Sequence, residues 1–104
     1  MALSPTVVSK PAYKVLKELT GAERPDLALP LALKDLVLLR LVAAEARIAT
    51  FEEKYGMSFA QFQEAWERGE IDAPYSYAVE KDYWEWEAAI TDKAKLEALQ
   101  DSLI

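Results

Sequence analysis

Between Val37 and Tyr55, apolar residues recur at alternating spacings of four and three: Val37, Leu41, Ala44, Ile48, Phe51 and Tyr55. That period puts them on one stripe of a helix and predicts a long helix from about Leu31 to Tyr55 with a sustained buried seam. Two starts fit the residues before it. One is near Pro25-Asp26 and the other just after Pro30, since a proline beyond the first turn removes a backbone hydrogen bond. Leu36, Leu39 and Ala43 add a second apolar face in the first half only. A helix apolar nearly all round must be covered on more than one side. A short monomer does that poorly and a dimer easily, so the pattern predicts self-association through this half.

The flanking elements follow from similar signals. Thr6-Val7-Val8-Ser9, between Pro5 and Pro11, reads as a short extended segment that must pair with something to satisfy its backbone. Pro11 suits the first turn of a helix whose apolar stripe is Tyr13, Leu16 and Leu19, with Gly21 placed to end it. After Gly56, Ser58 is a candidate cap for a short helix carrying Phe59, Phe62 and Trp66 and closed by Gly69. Asp72-Ala73-Pro74 signals a turn. Ser76 then caps a helix to about Ile90. Thr91-Asp92 predicts a fresh start, because Leu96, Leu99 and Leu103 do not continue the earlier stripe of Val79, Tyr83, Trp86 and Ile90.

Charge divides the chain unevenly. Residues 1–24 hold Lys10, Lys14, Lys17 and Arg24 against Glu18 and Glu23, a net of +2, so the rest of a chain of net charge −6 carries −8. A basic start and an acidic body suggest two surfaces with different partners, although uneven spacing alone could produce the same split. Leu27 to Ala44 is the most apolar stretch, and Pro30, Lys34, Asp35 and Arg40 interrupt it, so no membrane span is expected there. With no signal peptide and no cysteine, a cytoplasmic location is expected.

The available chemistry narrows the function more sharply. The 104 residues contain no histidine and no cysteine, which removes the commonest general base and the N/S metal ligands. Gly21, Gly56 and Gly69 fall at helix ends and make no phosphate-binding loop. Glu80, Asp82, Glu85 and Glu87 are the densest carboxylates. On a helix Glu80 and Glu87 share one side and Asp82 and Glu85 another, so the four do not converge. No catalytic residue, metal, cofactor or small-molecule substrate is expected.

The run from Tyr75 to Glu87 carries two stripes on one helix. Val79, Tyr83, Trp86 and Ile90 form the core-facing one. Tyr77, Trp84 and Ala88 form a second, with Glu80 and Glu87 between. A neighbouring helix or a dimer mate could cover the second stripe. Alternatively it is a partner-binding surface, in which aromatic anchors and acidic neighbours select a basic protein and repel phosphates.

Two stretches resemble known families. Thr6-Val7-Val8-Ser9, the segment Pro11 to Leu19 and the apolar helix from Leu31 resemble a ribbon-helix-helix module. That likeness implies a strand paired with its mate in an intertwined dimer, with Val8 on the dimer side. It also implies Thr6, Val7 and Ser9 as residues facing DNA, where Val7 and Lys10 depart from the family's pattern and weaken the DNA implication. Lys54-Tyr55-Gly56-Met57-Ser58-Phe59, then Phe62, Trp66 and Asp82 to Glu87, look like the C-terminal part of small prokaryotic antitoxin-like proteins. This second likeness implies a region that masks a basic toxin.

The sequence therefore predicts a mainly α protein, with a short N-terminal strand and four or five helices. Residues 1–55 form a ribbon-helix-helix-like dimerisation module involving Val8, Leu36, Leu39 and Ala43, and residues 56–104 an acidic, aromatic helical arm. The expected function is non-catalytic protein binding by an antitoxin, with Tyr77, Glu80, Trp84, Glu87 and Ala88 as the partner surface. A DNA-binding regulator and a purely structural homo-oligomer are the alternatives.

Overall fold

The computed structural model describes residues 8–103 and contains four helices among them: α1 (Lys10–Thr20), α2 (Pro25–Tyr55), α3 (Phe59–Glu67) and α4 (Tyr77–Ser102). No strand occurs among the described residues. Thr6 and Val7 lie outside them, and Val8 and Ser9 belong to no strand. Ser9 has extended backbone (φ −60°, ψ 152°), but it serves as the N-cap of α1, and its hydroxyl accepts the Ala12 N–H at 3.3 Å. The side chain expected to face DNA is thus engaged in capping, and Lys10 opens a helix instead of ending a strand. The ribbon-helix-helix-like fold is corrected to an all-α one.

Most other local signals set the helix ends. Gly21 and Gly56 stop α1 and α2 in left-handed conformations (φ +71° and +67°), and their N–H groups bond the Lys17 and Glu52 carbonyls. Ser58 and Gln61 form a reciprocal capping box at α3, and Ser76 caps α4 through the Val79 N–H. α2 takes the earlier of its two possible starts, at Pro25, and runs through Pro30 for 31 residues.

α4 does not break at Thr91-Asp92; it is one helix of 26 residues, so the count is four and not five. Val79 and Tyr83 pack on the core cluster as expected, and a line of five inward positions runs along the helix through Asp82, Trp86, Ala89, Lys93 and Leu96, at spacings of four and three, all buried or half-buried. Two of those five are charged, which hides the seam from a hydrophobic pattern. Ile90, expected in the core, is 36% exposed, and Ala89 takes the inward place.

α4 packs beside α2, and α1 folds back along the start of α2. The α2 seam is buried as its spacing requires: Val37, Leu41, Ala44, Ile48 and Phe51 are buried and Tyr55 half-buried. The core cluster is confined to one end, where Ile48, Phe51, Phe62, Trp86 and Ala89 meet. Trp86 lies at its centre, stacked on Phe51 (centroids 5.6 Å apart) and Tyr55 (5.8 Å), with Phe62 at 5.1 Å and Phe59 at 5.4 Å. The core thus straddles residue 55. The molecule measures 57 × 30 × 22 Å with a radius of gyration of 19.9 Å, against about 13 Å for a compact chain of this length. Among the described residues, no helix is long and apolar enough to cross a membrane.

Candidate interaction surfaces

The first surface is the N-terminal half of α2. Ala28 is buried, but Leu27, Leu31, Leu33, Leu36, Leu38, Leu39 and Val42 are all exposed, as are Val15 and Leu19 on α1. At 100° per residue, Leu27, Leu31, Leu38 and Val42 fall within about 60° of one another, and so do Leu36, Leu39 and Ala43. Two open apolar stripes therefore flank a seam that α4 already occupies. Of the expected dimerisation residues, Leu36, Leu39 and Ala43 lie on this surface, with Leu39 66% exposed, whereas Val8 is half-buried before α1.

Burying a leucine fully is worth about 1.5–3 kcal/mol at about 25 cal/mol per Å², or on the order of 100 Å² of apolar area. Nine half-open aliphatic side chains then expose on the order of 500 Å². One side of a standard interface covers about 800 Å² and is about 56–65% apolar; the open area is comparable in sum, but it is divided between two stripes of α2 about 120° apart, Leu33, and α1.

The second surface is the start of α4. Tyr77 is 78% and Trp84 63% exposed, Glu87 and Ala88 are also exposed, and Glu80 is half-buried. α3 does not cover this stripe; it packs beside it. Trp66 of α3, with Glu80, Tyr83 and Trp84 of α4, lines a cleft of about 240 Å³. Tyr83 is held from behind by Phe59 and Phe62 (5.6 and 5.9 Å) and by Gln63, whose Nε2 donates to its hydroxyl at 3.1 Å. Trp66 packs at 4.9 Å from Tyr83 and edge-on to Tyr75 at 6.4 Å. Sequence spacing along α4 cannot find Trp66, which reaches the cleft only because α3 folds back from α2.

The cleft's electrostatics follow from which charges are already paired. Lys81 reaches Glu85 at 3.6 Å, Arg68 pairs with Glu64, and Lys54 with Asp82. Glu80 and Glu87 have no ion-pair partner among the described residues. Asp82 has left the acidic face altogether. It accepts hydrogen bonds from Lys54 Nζ at 2.5 Å and Tyr55 Oη at 2.6 Å, and its side chain is only 14% exposed. Burial pushes its pKa up, but the two hydrogen bonds and the charges of Lys54 and Lys81 outweigh that and hold it below the usual carboxylate value. Burial and the same hydrogen bond to a carboxylate push the Tyr55 phenol above its ordinary value.

A third feature lies between the N-terminal half of α2 and the C-terminal half of α4. Arg40, Arg47 and Lys95, with Asp92, rim a groove of about 310 Å³ floored by Ala43, Ala44, Leu96 and Leu99. It gives the apolar half a basic edge. Among the described residues, no cluster of three or more acidic side chains is placed to hold a metal ion. Comparisons with family models, with curated proteins and with solved structures find no match to this chain.

Proposed function

We propose that this chain is a non-catalytic protein-interaction module that self-associates through the N-terminal half of α2 and binds a basic protein through the start of α4. The open apolar surface of α1 and α2 carries the reading. Leaving on the order of 500 Å² of aliphatic side chains in water forgoes several kcal/mol that a second copy would recover. The acidic, aromatic stripe supports the second half, since unpaired carboxylates beside exposed Trp and Tyr complement a cationic protein surface. Masking of a basic toxin, as an antitoxin does, is the specific form of this function that the sequence resemblance favours.

Light scattering on the eluting protein tests self-association. Wild-type protein should run as a dimer, and Leu36→Glu with Leu39→Glu should shift it to the monomer mass while circular dichroism stays helical. A wild-type monomer at tens of micromolar would remove this half of the proposal. Co-purification with the products of adjacent genes tests the other half, and Trp84→Ala should weaken any complex formed.

A further inference from the structure

The cleft formed by Trp66, Glu80, Tyr83 and Trp84 combines three aromatic rings with one carboxylate. Aromatic faces attract a cation through the ring quadrupole, most strongly when the cation is partly desolvated. An adjacent carboxylate adds a charge-assisted hydrogen bond. We propose that this cleft is a receptor for a single lysine or arginine side chain of the basic partner. This inference rests on the reading of α4 as a partner surface, and it names the group recognised there.

Three observations support a cationic occupant over a neutral apolar one. Glu80 is half-buried at the cleft and has no ion-pair partner among the described residues, so an incoming ammonium or guanidinium would meet a carboxylate that none of those residues engages as an ion pair. Two of the walls are fixed before binding. Tyr83 is held by Phe59, Phe62 and the Gln63 amide, and Trp66 by Phe62, Tyr83 and Tyr75. A receptor built in advance loses less entropy on binding. The volume of about 240 Å³ accommodates a butylammonium or propylguanidinium chain, and Trp84 at the outer wall is exposed enough to close over its stem.

The three tryptophans provide the test, because Trp66 and Trp84 line the cleft while Trp86 is fully buried in the core. The full chain, labelled with ¹⁵N, is titrated with the peptide Gly-Ser-Lys-Ser-Gly and with the same peptide carrying norleucine in place of lysine. The indole signals of Trp66 and Trp84 should shift saturably with the lysine peptide and those of Trp86 should stay put. The norleucine peptide should bind at least about tenfold more weakly. Glu80→Gln should weaken the lysine peptide about five- to tenfold, Trp84→Ala should abolish the shifts, and Glu97→Gln, an exposed carboxylate further along α4 and outside the cleft, should change affinity less than twofold.

Equal binding of both peptides, no saturable shift, or an unchanged affinity in Glu80→Gln would each overturn the proposal. Glu80→Gln and Trp84→Ala remove no buried group, and an unmoved Trp86 signal reports that the core is intact. A chain that retains a protein partner but fails the peptide titration refutes the cleft alone. A chain that binds the peptide yet retains no partner refutes the wider reading alone.

Discussion

Asp82→Asn is the substitution that most directly tests how α4 is held against α2. In the wild type the Asp82 carboxylate accepts from Tyr55 Oη at 2.6 Å and from Lys54 Nζ at 2.5 Å. A hydrogen bond to a charged acceptor contributes about 1.5–3 kcal/mol. The Lys54 ammonium is more than half exposed, so solvent screening reduces its pairing to about 0–1 kcal/mol. Asparagine keeps the shape and one acceptor oxygen but loses the charge. The expected cost is therefore about 1–2 kcal/mol, or roughly 5–10 °C in Tm for a domain of this size.

The sign of the pH dependence follows from the direction of the shift. Folding lowers the Asp82 pKa, so its contribution is fully present above the ordinary carboxyl value of about 3.9 and is lost as pH falls through the lowered folded value. Urea unfolding followed by circular dichroism should show the full gap between wild type and Asp82→Asn at pH 7 and at pH 5. The gap should narrow below about pH 4. Two protein concentrations separate this effect from any linkage to self-association. A gap under about 0.3 kcal/mol at pH 7, or one as large in acid as at neutrality, would refute the reasoning.

Trp86→Ala should be the most damaging single change, at about 3–5 kcal/mol, because the indole is the centre against which Phe51, Tyr55, Phe59 and Phe62 pack. Trp86→Phe should cost clearly less, since it also removes a buried Nε1–H that has no hydrogen-bond partner among the described residues; thermal unfolding would rank the two. Ser58→Ala should cost about 1 kcal/mol, by removing the hydroxyl that accepts the Gln61 N–H in the α3 capping box. No loss in urea unfolding would mean that α3 is held by Phe62 and Trp66 alone.

What could be read from the sequence depended on whether a position's inward role was also apolar. The α2 seam was legible from end to end because five of its six members are aliphatic or phenylalanine. Ser58, Ser76, Gly21 and Gly56 announced their caps through side-chain chemistry that acts within three or four residues. The α4 seam was legible in its first half, where Val79, Tyr83 and Trp86 pack in the core as their spacing predicts; Asp82 and Lys93 interrupt the rest, so Thr91-Asp92 looked like a cap and Ile90 like core. Thr6 to Ser9 looked like a strand because β-branching and flanking prolines report only local preference. A serine two residues before a proline fits a helix cap equally well, and capping is the role Ser9 takes. The aromatic stripe of α4 was legible as far as Trp84, Glu80 and Tyr77. Trp66 was not, since its place in the cleft depends on the path of the chain through α3.

The two proposed surfaces would not obstruct each other, because they lie at opposite ends of the molecule. Leu36 and Leu39 precede Tyr55, which sits level with Asp82 at the start of α4, by 19 and 16 residues. At 1.5 Å per residue that is about 25–30 Å of helix. A second copy laid on the apolar stripes of α2 would therefore leave Trp66, Glu80 and Trp84 uncovered, one cleft on each protomer. Two clefts on one dimer would let a partner with two cationic sites gain effective concentration over a monomeric receptor, provided its sites span the separation. The position of the core accounts for the exposed aliphatic side chains at the far end of α2. Aromatic packing around Trp86 stabilises one end of the α2–α4 pair, so the other end is free to expose aliphatic side chains that a self-contained fold of this length would have to bury.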